Sequence, residues 1–187
     1  MRELVSYMFM SIDGFIADGD GGLDWVPIDD ELMRFANEYF AEFDGIVFSR
    51  RVYGGFVEYW DALDESIASE LERAFARVFG RMTRFVVSRT LDEVEDRAVL
   101  IQERVSEAVE ELKREPGGNL LLICGPELRS TLAREGLIDL YRVLVAPVVL
   151  GKGRPQFDPV GEPIALRLIQ TRSFGGGVVM LDYRSAS

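Results

Sequence analysis

Three short stretches carry side chains suited to holding an anion: Ser49-Arg50-Arg51, Ser88-Arg89-Thr90 and Cys124-Gly125-Pro126. Guanidinium groups pair with phosphate oxygens in bidentate fashion, and hydroxyls add further donors. A glycine removes the side chain that would keep a ligand off the backbone. Each stretch follows an apolar run and precedes a helical or polar segment. A strand that ends in a helix start points backbone N–H groups and the positive end of a helix dipole at whatever lies beyond the strand. In an open α/β sheet all three junctions are expected to converge beyond the carboxyl ends of the strands, where together they suit a phosphorylated dinucleotide. No G-x-G-x-x-G follows the first strand, so this is not a Rossmann fingerprint.

The elements that must position these residues alternate between strand and helix patterns. Leu4–Met10 reads as a strand, and the glycine- and aspartate-rich segment 11–25 as a loop. A helix is expected from Pro27 with Asp29 as N-cap, its apolar stripe running through Leu32, Phe35, Ala36, Tyr39, Phe40 and Phe43. Gly45–Phe48 reads as a buried strand, Val52–Trp60 as a helical turn or two, and Leu71, Phe75, Val78 and Phe79 as one face of a further helix. Arg84–Ser88 and Ala98–Ile101 follow as strands, then a helix capped by Ser106 that runs to Arg114. Leu120–Ile123 is a strand buried on both faces, and Leu128, Leu132 and Ala133 mark the helix after it, closed by Gly136. The β-rich segment 137–150, broken at Pro147, leads to a closing hairpin of 164–169 and 178–183 around Gly175-Gly176-Gly177. The expected fold class is α/β, with a mainly parallel sheet, an antiparallel edge and helices on both faces.

Composition bounds the function. A chain of 187 residues with 48% hydrophobic and 28% charged residues suits one globular domain, 1–187. A net charge of −11 argues against a general nucleic-acid surface or an anionic membrane surface, and no apolar run approaches a bilayer span. The N-terminus is too short and too charged for a signal peptide, so a cytoplasmic protein is expected. The chain contains no histidine and one cysteine, Cys124, which excludes histidine triads, an internal disulfide and a zinc site of the usual ligand types. Cys124 is expected to be a small core residue.

Five motifs in order, Ser11-Ile-Asp-Gly-Phe-Ile-Ala17, Ser49-Arg-Arg-Val-Tyr53, Arg84-Phe-Val-Val-Ser-Arg-Thr90, Ile123-Cys-Gly-Pro126 and Ala146-Pro-Val-Val-Leu-Gly-Lys-Gly153, span nearly the whole chain. Together they resemble the dihydrofolate-reductase-like superfamily, in the branch holding the C-terminal reductase domain of the riboflavin-biosynthesis deaminase-reductase and its stand-alone relatives. The resemblance implies a twisted mixed sheet of about eight strands with a C-terminal antiparallel hairpin, NADPH as hydride donor, and a homodimer.

Carried over by motif, the resemblance assigns Ser49, Arg50, Arg51 and Val52 to the cofactor's pyrophosphate and 2′-phosphate, and Ser88, Arg89 and Thr90 to the adenosine phosphate. Gly125, Pro126, Glu127 and Leu128 fall under the pyrophosphate, and Phe9, Ile16 and Ala17 line the nicotinamide. Ser49, Val52 and Pro126 depart from the family's glycine, threonine and second glycine. The folate-reducing relatives carry a cis Gly-Gly peptide, so the Gly125-Pro126 bond is expected cis, with the helix starting at Glu127. Tyr7 stands where the riboflavin-pathway enzymes have a substrate-binding lysine, which argues against a ribityl-phosphate substrate.

On the substrate side the resemblance implies Asp13, Trp25 and Met33, with Asp29 or Asp30 relaying a proton as the heterocycle accepts hydride. The same Asp29 also suits a helix cap, and Asp30 with Glu31 a helix first turn. Two functions remain open: an NADPH-dependent reductase of a pterin, pyrimidine or flavin-like compound, or a non-catalytic nucleotide- or small-ligand-binding protein that kept the fold. The homodimer is expected to use the C-terminal half. Val143, Val145 and Val149 fall on one side of its strand, Leu144 and Val148 on the other, and both sides need cover.

Overall fold

A computed structural model of the chain describes residues 1–186. The chain divides into two compact units, one of residues 1–2 and 29–124, the other of residues 3–28 together with the chain from Gly125 onward. Eight strands belong to one mixed, mostly parallel sheet.

The first unit contains helix α1 (Asp30–Phe40), strand β3 (Phe43–Ser49), helices α2 (Arg50–Asp61) and α3 (Glu70–Phe79), strands β4 (Thr83–Val87) and β5 (Ala98–Ile101), helix α4 (Val105–Arg114) and strand β6 (Asn119–Ile123). Its strands lie in the order β5-β4-β3-β6, all parallel. Ile46, Val47 and Phe48 of β3 and Leu120, Leu121 and Leu122 of β6 are fully buried, as continuous apolar runs demand of parallel strands covered on both faces. The Asp29 carboxylate accepts the Leu32 N–H at 2.8 Å, and Ser69 and Glu72 form a reciprocal capping box at the start of α3. Phe56 of α2 packs edge-on to Phe79, with ring centroids 5.1 Å apart, and lies 5.5 Å from Phe48. Phe48 and Phe79 are buried and Phe56 is half-buried; a fully buried ring stabilises by roughly 1.5–3 kcal/mol, and this cluster packs α2 against β3.

The second unit contains strands β1 (Leu4–Ser11) and β2 (Phe15–Ala17), helix α5 (Pro126–Arg134) and strands β7 (Leu140–Ala146), β8 (Arg154–Pro155), β9 (Leu166–Ser173) and β10 (Val179–Ser185). β1 pairs with β7 in parallel, β10 is antiparallel to both β7 and β9, and β2 and β8 form a separate antiparallel pair. Gly136, with φ of 67°, closes α5 in the left-handed conformation that a side chain would resist.

Several expectations are corrected. The segment 11–25 is not all loop, because Phe15–Ala17 pairs with β8. α1 starts at Asp30 rather than Pro27, and Phe43 belongs to β3 rather than to the helix stripe. α2 is a 12-residue helix, longer than a turn or two. α4 is preceded by Arg104 in a left-handed conformation, so Ser106 lies inside the helix and does not cap it. Val149 lies beyond β7 and is exposed.

The Gly125-Pro126 bond is not cis, since every peptide bond among the described residues is trans. Gly125 is extended at φ −75°, ψ 174°, the conformation a residue before proline prefers, and Pro126 takes the first helical position, where its missing N–H has no partner to lose. The helix therefore begins at Pro126 and not at Glu127.

Candidate functional site

In the first unit, β3 runs directly into α2, with Ser49 extended as N-cap and making no side-chain cap hydrogen bond. Arg50 and Arg51 occupy the first turn of α2, which holds no acidic residue. The first turns of α1 and α3 instead carry Asp30 and Glu31, and Glu70 and Glu72. Positive side chains at a helix N-terminus oppose its dipole, so two adjacent arginines there are an intrinsic cost that a bound anion would offset.

The structure brings two of the three expected junctions together. Arg50 Nη1 donates to the Thr90 hydroxyl at 2.8 Å. The buried Ser88 hydroxyl accepts the N–H groups of Thr90 at 3.2 Å and Leu91 at 3.1 Å, which fixes the turn that presents Thr90. Arg51 and Arg89 are exposed, and Val52 is half-buried.

Arg50 also lines a cleft of about 510 Å³ with Tyr53, Gly54, Leu91, Glu93, Val94 and Glu95. Behind this cleft lies a group that sequence reasoning missed. Arg84, buried in β4, makes two hydrogen bonds of 2.7 and 2.8 Å to Asp61, pairs with Glu95, and stacks its guanidinium 4.1 Å from the centroid of Phe79. Burial and then the Glu95 charge raise the Tyr53 phenol above its ordinary pKa. The signal in the sequence was an arginine opening an otherwise apolar run, Arg84-Phe-Val-Val, which has to carry its charge partners inward with it.

In the second unit, Gly125 is the N-cap of α5, Pro126 and Leu128 are buried, and Glu127 is exposed. The helix therefore presents the amides of Glu127 and Leu128 behind a residue with no N–H. Phe9 on β1 and Ile16 and Ala17 on β2 are half-buried. Asp13 accepts the Ser11 hydroxyl at 2.7 Å and the N–H groups of Leu150 at 3.1 Å and Gly151 at 2.7 Å. The Ser11 hydroxyl foremost, then these backbone donors, hold its carboxyl below the ordinary carboxylate pKa. Trp25 donates its indole N–H to the Gly22 carbonyl at 3.0 Å. Arg129, which is fully buried in α5, donates to Ser6 at 3.2 Å and to the Gln156 carbonyl at 2.9 Å, while Ser130 donates to the Asp158 carbonyl at 3.0 Å. These bonds anchor the 156–158 segment to the helix. Sequence reasoning passed over both, because each interrupts an otherwise apolar stripe.

The two carboxylates considered for proton transfer differ in their surroundings. Asp29 caps α1, whereas Asp30 is exposed and pairs with Arg34 at 3.3 Å across one helical turn. Met33, in the same helix, is half-buried. No helix among the described residues is long and apolar enough to cross a membrane.

Residues 2–180 match the family model described as the RibD C-terminal domain. The uncharacterized protein YyaP of Bacillus subtilis is 30% identical over 182 residues, covering 97% of this chain and 94% of the relative. Among solved structures, a putative riboflavin biosynthesis protein from Shewanella sp. PV-4 superposes with a TM-score of 0.75 at 24% identity and full coverage of both chains. A dihydrofolate reductase from Enterococcus faecalis, complexed with NADP(H) and RAB-propyl, superposes with a TM-score of 0.67 at 12% identity, covering 99% of this chain and 97% of that one. The fold is thus dihydrofolate-reductase-like.

Proposed function

Because the chain belongs to the RibD C-terminal domain family, we propose that it is a cytoplasmic oxidoreductase passing hydride from NADPH to a small planar heterocycle of pterin, pyrimidine or flavin-like type. The observation that carries the cofactor assignment is the Arg50–Thr90 hydrogen bond, which joins two segments of phosphate-binding character 40 residues apart in the chain. A helix start bearing two arginines and no acid fits a phosphate, and the adjoining cleft has room for the group attached to it. In this reading Ser49, Arg50, Arg51 and Val52, with Ser88, Arg89 and Thr90, hold the adenosine phosphates. Gly125, Pro126, Glu127 and Leu128 supply a helix start for the pyrophosphate, and Phe9, Ile16 and Ala17 face the nicotinamide. NADPH, when bound, supplies the hydride, and the protein's part is to orient the ring and deliver a proton. Asp13, Trp25 and Met33 are assigned to the substrate side. Of the two candidate proton donors, Asp30 is the more open to solvent exchange, since Asp29 commits an oxygen to the Leu32 N–H. The working unit is a homodimer.

A second reading, ligand binding without hydride transfer, draws on Pro126, which offers the pyrophosphate one donor fewer than glycine would. Titration of the purified protein with NADPH and NADH, following cofactor fluorescence, tests the first reading, and turnover with pterin, pyrimidine and flavin acceptors then tests the chemistry. Tight NADPH binding with oxidation by one of these acceptors is the expected result. Binding of neither cofactor transfers the weight to the second reading.

A further inference from the structure

The loop after β1 and the turn after β7 are stitched together at the Asp13 carboxylate. One oxygen accepts the Ser11 hydroxyl at 2.7 Å and the Leu150 N–H at 3.1 Å, and the other accepts the Gly151 N–H at 2.7 Å. The fully buried Ser11 hydroxyl in turn accepts the Phe15 N–H at 2.9 Å, so one hydrogen-bonded chain runs from the Gly151 turn through Asp13 and Ser11 into β2. Backbone bonds flank it on both sides, from the Ile12 N–H to the Val148 carbonyl at 2.9 Å and from the Gln156 N–H to the Gly14 carbonyl at 3.0 Å. β2 then pairs with β8, and Gly153 presses so closely on the Ala17 carbonyl that no Cβ fits there. Both Asp13 oxygens are thus occupied by donors from the protein itself. That is the chemistry of an acceptor built into a loop junction and not of a group turned toward a substrate. The Asp18 carboxylate, in the next turn, accepts instead the N–H groups of Asp20 at 2.9 Å and Gly22 at 2.7 Å, both within its own turn.

We propose that Asp13 is a positioning residue, whose carboxylate clasps the Leu150–Gly151 turn and so holds β2, with Ile16 and Ala17, in the place required at the nicotinamide. This rests on the cofactor reading above for what β2 faces, and it replaces the substrate contact assigned to Asp13 with a role through the loop. Three accepted bonds need an acceptor-only group, and an asparagine offers one accepting oxygen and an NH₂ that would meet the Gly151 N–H donor to donor.

The test uses the full-length protein, Asp13→Asn and the milder Ser11→Ala, with hydrogen exchange at the Phe15, Leu150 and Gly151 amides and affinities for NADPH and for adenosine 2′,5′-bisphosphate, which lacks the nicotinamide. In Asp13→Asn, exchange at the Leu150 and Gly151 amides should accelerate about tenfold or more, NADPH should bind about tenfold more weakly, and the bisphosphate should bind as in wild type. Ser11→Ala should accelerate Phe15 and weaken NADPH in the same direction. Unchanged exchange in Asp13→Asn overturns the clasp. Accelerated exchange with equal changes in NADPH and bisphosphate affinity, or with no change in either, overturns the positioning role. Wild-type protein that binds neither ligand overturns the cofactor reading itself and the positioning role with it, a result distinct from the two preceding ones.

Discussion

Arg50 and Thr90 meet by a 2.8 Å hydrogen bond from guanidinium to hydroxyl, although one opens α2 and the other follows β4. The arginine is thereby aimed rather than left to sweep through solvent, and the turn that carries Thr90 is itself fixed by the Ser88 hydroxyl. A pre-aimed guanidinium loses less freedom when it takes up a phosphate. NADPH should accordingly bind better than NADH, since the extra phosphate is what Arg50, Arg51 and Arg89 can neutralise. Removing one charge-assisted contact costs about 1.5–3 kcal/mol, so at least one of Arg50→Ala, Arg51→Ala and Arg89→Ala should narrow the NADPH-to-NADH affinity ratio about tenfold or more. If all three leave the ratio unchanged in fluorescence titrations, these junctions do not hold the 2′-phosphate.

Between β7 and β10, Arg142 makes two bonds to Asp182, at 2.8 and 2.6 Å, with both side chains buried. Removing one partner of a buried pair strands the other charge, so Asp182→Ala should cost about 3–5 kcal/mol and lower the melting temperature by roughly 10 °C. Replacing both, as Arg142→Met with Asp182→Leu, should recover much of that loss. Chemical denaturation of the two variants separates the outcomes. An Asp182→Ala protein within about 1 kcal/mol of wild type would show that water or neighbouring groups take over the guanidinium.

Much of the fold was legible because burial leaves a simple mark. Ile46-Val47-Phe48 and Leu120-Leu121-Leu122 are continuous apolar runs, and both are fully buried in parallel strands. Asp29 and Gly136 could be placed because a helix cap needs a short acceptor and a left-handed turn needs a glycine. What stayed hidden depends on partners distant in the chain. β2 is three residues long and exists because it pairs with Arg154 and Pro155. The Asp13 clasp reaches 137 and 138 residues along the chain, a distance no local pattern records. The left-handed Arg104 before α4 stands where glycine is usual and carries no local mark, whereas Ser106 has the short hydroxyl of a common cap. At the candidate site, residue types were legible and geometry was not. Nothing in Ser49-Arg50-Arg51 or Ser88-Arg89-Thr90 says that Arg50 is the arginine that meets Thr90.

β9 lies at the end of its strand order, and all eight of its residues are exposed, Leu166, Leu168 and Ile169 among them. Val143 and Leu144 of β7, by contrast, are buried within the chain, so a dimer would have to draw on other apolar side chains, and β9 carries three exposed ones. A long exposed edge strand with apolar side chains invites pairing with another chain, and a two-fold dimer is the commonest arrangement that closes such an edge. Light scattering at micromolar concentration should give about twice the 21.1 kDa of one chain, and Leu168→Lys with Ile169→Lys should return it to one. A wild-type mass near 21.1 kDa would end the dimer proposal.

The Asp13 carboxyl is held below its ordinary pKa, first by the Ser11 hydroxyl and then by the Leu150 and Gly151 N–H groups. A carboxylate whose pKa is depressed on folding adds stability above its unfolded pKa, and that contribution fades as pH falls through the folded value. Wild type should therefore melt above Asp13→Asn at neutral pH, and the gap should shrink below about pH 4 as Asp13 takes up a proton. Thermal scans of both proteins across this range check the sign. A gap that widens on acidification would mean that the carboxylate is not the stabilising form.

Asp29 and Asp30 are adjacent in sequence, yet their environments predict opposite responses. The Asp29 carboxylate satisfies the Leu32 N–H at 2.8 Å, so Asp29→Ala removes a cap and should cost about 1 kcal/mol, visible as a lower melting temperature. Asp30 is exposed and pairs with Arg34 across one turn, so Asp30→Ala should change stability by no more than about 0.5 kcal/mol. If Asp30 delivers the proton that follows hydride transfer, Asp30→Ala should lower turnover of a heterocyclic acceptor by roughly 100-fold or more while leaving NADPH affinity unchanged. Asp30→Asn, which cannot ionise, should be as impaired as the alanine variant, and added small carboxylic acids should restore part of the rate. Full turnover in both Asp30 variants, with loss only in Asp29→Ala in proportion to its stability, would remove Asp30 from the chemistry and leave this pair as the start of a helix.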